Sequence, residues 1–149
     1  MKLLHKLSQT QTLVSLPPNA SVKTAADLMR QKSVGSVLVM DDDRLAGIFT
    51  ERDLLNRVAA EKRDPATTAI TEVMTPDPDT LRATDRVVYA INRMAHRGFR
   101  NIPIVDDSGA ALAVLGVRDV MTHLADVFSE VAEHERESEW NEWTDTGGG

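Results

Sequence analysis

No cysteine occurs in the 149 residues. That excludes a disulfide framework and a thiolate metal site, and it suits a reducing compartment. Long apolar runs are missing too. The opening Met1-Lys2-Leu3-Leu4-His5-Lys6 is too short in apolar residues for a secretory leader, and nothing later approaches the length of a membrane span. The expectation is a cytoplasmic protein without a membrane partner. Blocks of Lys and Arg are absent, and the net charge is −6, so nucleic-acid backbone, which needs clustered cations, is not an expected partner. His5, His96, His123 and His134 have no metal-ligand spacing among themselves or with carboxylates. Asp41-Asp42-Asp43 lacks the rest of a calcium loop and reads as a solvated turn. No Ser–His–Asp, Lys–carboxylate or paired-acid arrangement stands out. Neither a metal, nor a catalytic residue, nor an enzyme activity is expected.

What is present is ordinary globular composition, with 42% hydrophobic and 27% charged residues. A chain of this length buries roughly two thirds of its unfolded surface, enough for one compact domain or two small subdomains sharing a core.

The chain is organised around Gly47-Ile48-Phe49-Thr50-Glu51-Arg52-Asp53. An apolar strand end runs into a hydroxyl, an Arg and a carboxylate, and apolar Leu54, Leu55 and Val58 follow at helical spacing. A helix therefore starts at or just after Thr50. Its first-turn N–H groups lack intrahelical partners and lie at the positive end of the macrodipole, a place that favours an anion. Arg52 adds a fork of donors suited to phosphate, and Thr50 and Asp53 can bond sugar hydroxyls. The same Thr50-x-x-Asp53 also reads as a capping box with no ligand at all.

A second copy bears on that choice. Val22, Ala25, Ala26 and Met29 recur as Val87, Ala90, Ile91 and Met94, each displaced by 65 residues. Val37-Leu38-Val39-Met40 with Asp41-Asp42 matches Ile102-Pro103-Ile104-Val105 with Asp106-Asp107 at the same displacement. After one extra residue in the turn at Ser108-Gly109, Leu45 to Asp53 aligns with Ala111 to Asp119. Each copy reads as a short extended piece (Thr12 to Leu16; Thr80 to Arg82), a helix, two strands joined by a tight turn, and a second helix. Pro17-Pro18 stops the first extended piece, and Asn19 or Ser21 can cap the helix after it, with Thr84 in the place of Asn19 in the second copy.

The predicted fold class is α/β (α+β): two β-α-β-β-α repeats related by a pseudo-two-fold axis and packed sheet to sheet, because neither small sheet can bury both faces alone. Boundaries fall at 8–60 for the first repeat, 61–72 for the linker, 73–125 for the second repeat, 126–143 for a helical extension and 144–149 for a disordered tail. Val120, Leu124, Val127 and Val131, joined by Phe128, mark a last helix longer than the repeat requires, and beyond it the chain is Glu-rich with isolated Trp140 and Trp143. Its stripe packs on its own pair or on a second chain.

With the repeat in view, the chain resembles a tandem pair of CBS domains, the modules named after cystathionine β-synthase, over about residues 8 to 125. The residues that carry the resemblance are Gly47 to Asp53, the weaker partner ending Val117-Arg118-Asp119, the strand Asn101-Ile102-Pro103-Ile104-Val105-Asp106, and the opening Val73-Met74-Thr75. No attached catalytic domain is expected.

The resemblance implies a regulatory module of the stand-alone bacterial type that requires no cofactor. Its ligand would be an adenine nucleotide (AMP, ADP or ATP), with NAD(H) or S-adenosylmethionine as alternatives. Asp53 and Asp119 would accept from ribose hydroxyls, Thr50 would bond phosphate or ribose, and Arg52 and Arg118 would reach phosphates. Val34, Gly35, Ser36 and Val37, with Arg100, Asn101, Ile102 and Pro103, would hold the base. His96, Arg97 and Arg100 either face phosphates or form a solvated helix end that suits the macrodipole. Gly116 stands where Thr50 stands and Ala113 where Gly47 stands, so the Asp53 side is the expected better site. A homodimer through the helices and an unknown regulated protein are the implied partners, and the rival reading is a ligand-free interaction module.

Overall fold

The computed structural model describes Leu4 and residues 13–146, with side chains to residue 136. Thr12 of the first extended piece, the Trp140 and Trp143 side chains and residues 147–149 of the expected tail lie outside the described residues. The chain divides at Val117 into two compact units, Met1–Val117 and Arg118–Gly149.

In the first repeat, strand β1 (Ser15–Leu16) leads to helix α1 (Val22–Lys32) and then to the hairpin of β2 (Ser36–Asp41) and β3 (Arg44–Thr50). Of the two candidate caps, Ser21 is the one used: its Oγ accepts from the Thr24 N–H at 3.1 Å. The helix ends at Ser33, held at φ +54° in the left-handed region, and the Val34 N–H returns to the Met29 carbonyl at 3.0 Å. Val22, Ala25 and Met29 face Val37, Val39 and Phe49 in one core that also takes in Val58, Ile70 and Val73. Fully burying each larger apolar side chain contributes about 1.5–3 kcal/mol. β1 pairs parallel to β2, and β2 antiparallel to β3.

A single α-helical turn, α2 (Glu51–Asp53), follows β3 and widens into a π-helical segment, Leu54–Ala59, where bonds such as Ala60 N–H to Leu55 O span five residues at 2.9 Å. A short 3-10 turn at Ile70–Glu72 ends the linker. That end belongs to the core, since Ile70 is fully buried. The next strand, β4 (Thr75–Pro76), pairs antiparallel with Gly47 and Ile48 of β3. The opening of the second repeat thus completes the sheet of the first.

In the second repeat, β5 (Leu81–Arg82) pairs parallel to β6 (Asn101–Val105), helix α3 (Val87–Arg97) connects them, and β7 (Ala111–Gly116) completes the hairpin. The cap position of α3 is Arg86, with no side-chain bond to the helix. The sheet orders are β1-β2-β3-β4 and β5-β6-β7. Even the irregularities repeat: the β2–β3 register shifts at Val39/Met40, and the β6–β7 register at Ile104/Val105. Leu38 and Ile48, on the face of the first sheet away from α1, are buried as well. The sheets pack face to face, as two half-buried sheets require.

Helix α4 (Val117–Thr146) begins directly after β7, with Arg118 and Asp119 in its first turn. It is longer than the expected extension, and Thr144 to Thr146, placed by the sequence in a disordered tail, are helical. Along it Met121, Val127, Phe128 and Val131 are exposed.

Candidate functional site

The β3-to-α2 corner carries the capping box that Thr50 and Asp53 allowed. The capping box exists: Asp53 N–H donates to Thr50 Oγ1 at 3.3 Å, and Thr50 N–H donates back to Asp53 Oδ2 at 3.0 Å. The Thr50 hydroxyl adds a second bond to the same Oδ2, also at 3.0 Å. Asp53 is 8% exposed, so its carboxylate is removed from bulk water yet well supplied with donors. Both of the carboxylate's hydrogen bonds with Thr50 fall on Oδ2. Oδ1 faces Arg57 Nε at 3.5 Å.

Several expected residues meet at this corner. Ser36 lies opposite Thr50 in the β2–β3 ladder, and Glu51 N–H donates to Gly35 O at 3.0 Å, tying the helix opening to the start of β2. That bond and the cap occupy two of the first-turn donors expected to serve an anion. Arg52 is exposed and reaches the other repeat, its Nη1 donating to Gly98 O at 3.4 Å. Val34 and Gly35 are half-buried, whereas the Val37 side chain belongs to the core under α1.

The second repeat copies the framework. Val117 N–H donates to Arg100 O at 2.9 Å, the counterpart of Glu51 and Gly35, and Asn101 lies opposite Gly116 as Ser36 lies opposite Thr50. Arg100 and His96 are exposed, Asn101 is half-buried, and Ile102 and Pro103 are buried. Arg97 is paired with Asp79. With glycine at 116 the threonine hydroxyl of the first corner has no counterpart. Arg118 and Asp119 open α4 in the other unit.

Two features escaped the sequence reading. Gly47 is required sterically: a Cβ there would run into the Met74 Sδ and come within 2.9 Å of the Thr75 carbonyl. Arg57 reaches three groups at once, with Nε on the Asp53 side and Nη1 donating to Val73 O at 3.1 Å and Met74 O at 2.8 Å. Its spacing of four from Asp53 was the available signal. Among the described residues no cluster of three His, Cys, Asp or Glu is placed to hold a metal, and no helix is long and apolar enough to cross a membrane.

Two β-α-β-β-α repeats, each with a strand running into an acid-bearing helix opening, define a duplicated CBS-type module. The CBS domain family model matches residues 9–60 and 70–126, and the chain belongs to that family as a pair of CBS domains. It is 38% identical over 137 residues to the meiotically up-regulated gene 70 protein of Schizosaccharomyces pombe, covering 92% of this chain and 18% of that protein. The chain therefore spans less than a fifth of that relative's length. A CBS domain protein from Pyrobaculum aerophilum, solved in complex with AMP, superposes with a TM-score of 0.75 at 25% identity, over 84% of this chain and 99% of that one. A CBS domain pair solved with 5′-methylthioadenosine and S-adenosyl-L-methionine shares the fold, with a TM-score of 0.75 at 20% identity over 84% and 97% of the two chains.

Proposed function

We propose that this CBS pair is a regulatory module without catalytic activity that binds an adenine nucleotide (AMP, ADP or ATP) and passes its occupancy to a regulated protein. The carrying observation is Asp53: a carboxylate 8% exposed at a helix opening, with Oδ2 accepting from the Thr50 N–H and hydroxyl and Oδ1 facing Arg57 Nε. An acid in that setting recognises ribose hydroxyls, as it does in dinucleotide folds. Arg52 and Arg100, both exposed, supply cations for the phosphates of an anionic ligand on an acidic chain. The base lies against Gly35, Ser36, Asn101 and Pro103, and Arg118 and Asp119 serve a second, weaker site. The AMP complex of the Pyrobaculum aerophilum protein supports the ligand class. The module works as a cytoplasmic homodimer assembled through α4, whose Phe128 is 69% exposed.

A second reading, an interaction module without ligand, draws on Gly116 in the place of Thr50. Thermal unfolding with AMP, ADP, ATP, NAD(H) and S-adenosylmethionine separates the two. A ligand at one hundred times its dissociation constant adds about 2.7 kcal/mol of stability. A rise with an adenine nucleotide supports the sensor. No rise with any of the five leaves the interaction module.

A further inference from the structure

The geometry points to Arg57 as the residue that positions Asp53 for the sugar, an inference that rests on the reading of Asp53 as the diol acceptor. A carboxylate offers about four lone-pair sites. Thr50 takes two of them on Oδ2, through its N–H and its hydroxyl, so a diol must come to Oδ1. Arg57 stands beside that oxygen, Nε to Oδ1 3.5 Å, close enough to fix the carboxylate's rotation by charge but not at hydrogen-bonding distance. The oxygen therefore keeps its accepting capacity.

Arg57 is itself held. Its Nη1 donates to two successive carbonyls, Val73 O at 3.1 Å and Met74 O at 2.8 Å, and that segment continues into β4, which lies against Gly47. A planar guanidinium anchored on two carbonyls has little freedom left, and the carboxylate it faces is fixed in turn. The repeat underlines the role. The second copy keeps the acid, Asp119, but has His123 where the first has Arg57, so only the first corner carries a permanently charged partner four residues after its acid.

The test is calorimetric titration of the full chain with AMP and with 2′,3′-dideoxy-AMP, which lacks the diol. Arg57→Ala should weaken AMP about tenfold, a coupling within the range for residues of one network, and leave the dideoxy ligand unchanged. Asp53→Asn should do the same, and the double variant should be no worse than Asp53→Asn alone. Arg57→Lys, which returns the charge without the two-carbonyl fork, should restore most of the discrimination between the ligands though not the melting temperature. Equal weakening of both ligands by Arg57→Ala, or additive losses in the double variant, would overturn the inference while leaving Asp53 as the acceptor. Unchanged AMP affinity in Asp53→Asn would overturn the site reading and the inference together.

Discussion

Leu4 occupies in the second repeat the place that Ile70 occupies in the first. Both are fully buried, and each gives its N–H to the chain just before a repeat's first helix, Leu4 to Asp85 O at 3.0 Å and Ile70 to Ala20 O at 2.9 Å. The duplication thus begins far earlier than the stretch that reveals it. Residues near a terminus are the usual place for tolerated change. Here Leu4→Ala should cost about 2–5 kcal/mol, as a buried large-to-small change does and as Ile70→Ala should. Urea unfolding of the two variants checks it. A Leu4 variant within error of wild type would mean that the N-terminus is not part of the second repeat's core.

Gly47 and Ala113 occupy equivalent strand positions but face different neighbours. β4 crosses at Gly47, and among the described residues no strand pairs with the outer edge of β7. Gly47→Ala should destabilise by about 1–3 kcal/mol through overpacking against Met74 and Thr75. Ala113→Gly should lose only about 0.5–1 kcal/mol, from backbone freedom and a lost methyl. Equal thermal shifts would place the steric demand elsewhere.

Much of this was legible in the chain. The two displacements, 65 before the hairpin turn and 66 after it, fixed the element order, the hairpins and the strand-to-helix corners, because side-chain period and turn chemistry are local signals. The capping box was legible for the same reason. What escaped depends on contacts distant in sequence. Thr75–Pro76 adjoins the second repeat along the chain yet pairs with β3, and Leu4 lies ahead of the expected first repeat yet is buried. Arg57 looks like a solvated helix cation until the carbonyls of Val73 and Met74 come beneath it. The π-helical widening at Leu54–Ala59 has no sequence mark that we can name.

The first helices end in the same left-handed conformation by different means. Ser33 adopts φ +54°, while its counterpart Gly98 sits at φ +70° with open space where a Cβ would stand. A side chain in that region costs about 1–2 kcal/mol, partly offset by the greater unfolded freedom of glycine. Ser33→Gly should therefore stabilise by about 0.5–1 kcal/mol, and Gly98→Ser should destabilise by a similar amount. Melting temperatures that move the opposite way would show that the Ser33 side chain contributes more than its backbone costs.

Asp106 gives the hairpin turn a pH dependence. The Ser108 hydroxyl, at 2.6 Å from Oδ1, and the Ala110 and Ser108 N–H groups at 3.0 and 2.8 Å hold its carboxyl below the usual value of 3.8. A depressed folded pKa adds stability that is complete above the unfolded pKa and is lost as pH falls through the folded one. The stability gap between wild type and Asp106→Ala should stay constant from neutral pH down to about pH 5 and close below about pH 4. A gap that widened with acidity would contradict the hydrogen-bonded turn.

The two helix openings should differ in nucleotide affinity because only one carries a hydroxyl at its cap. At the first, Thr50 orients Asp53 through Oδ2. At the second, Gly116 keeps the helix start, since glycine is a fair cap, but supplies no side-chain donor for Asp119. Asp53→Ala should abolish the high-affinity phase of AMP binding, and Asp119→Ala should leave it in place. Gly116→Thr should add the hydroxyl that Thr50 supplies at the first opening and bring the second site's affinity toward that of the first. Equilibrium titration read as stoichiometry and affinity decides the matter: if Asp119→Ala removed the tight phase and Asp53→Ala spared it, the hydroxyl would not be what ranks the two sites.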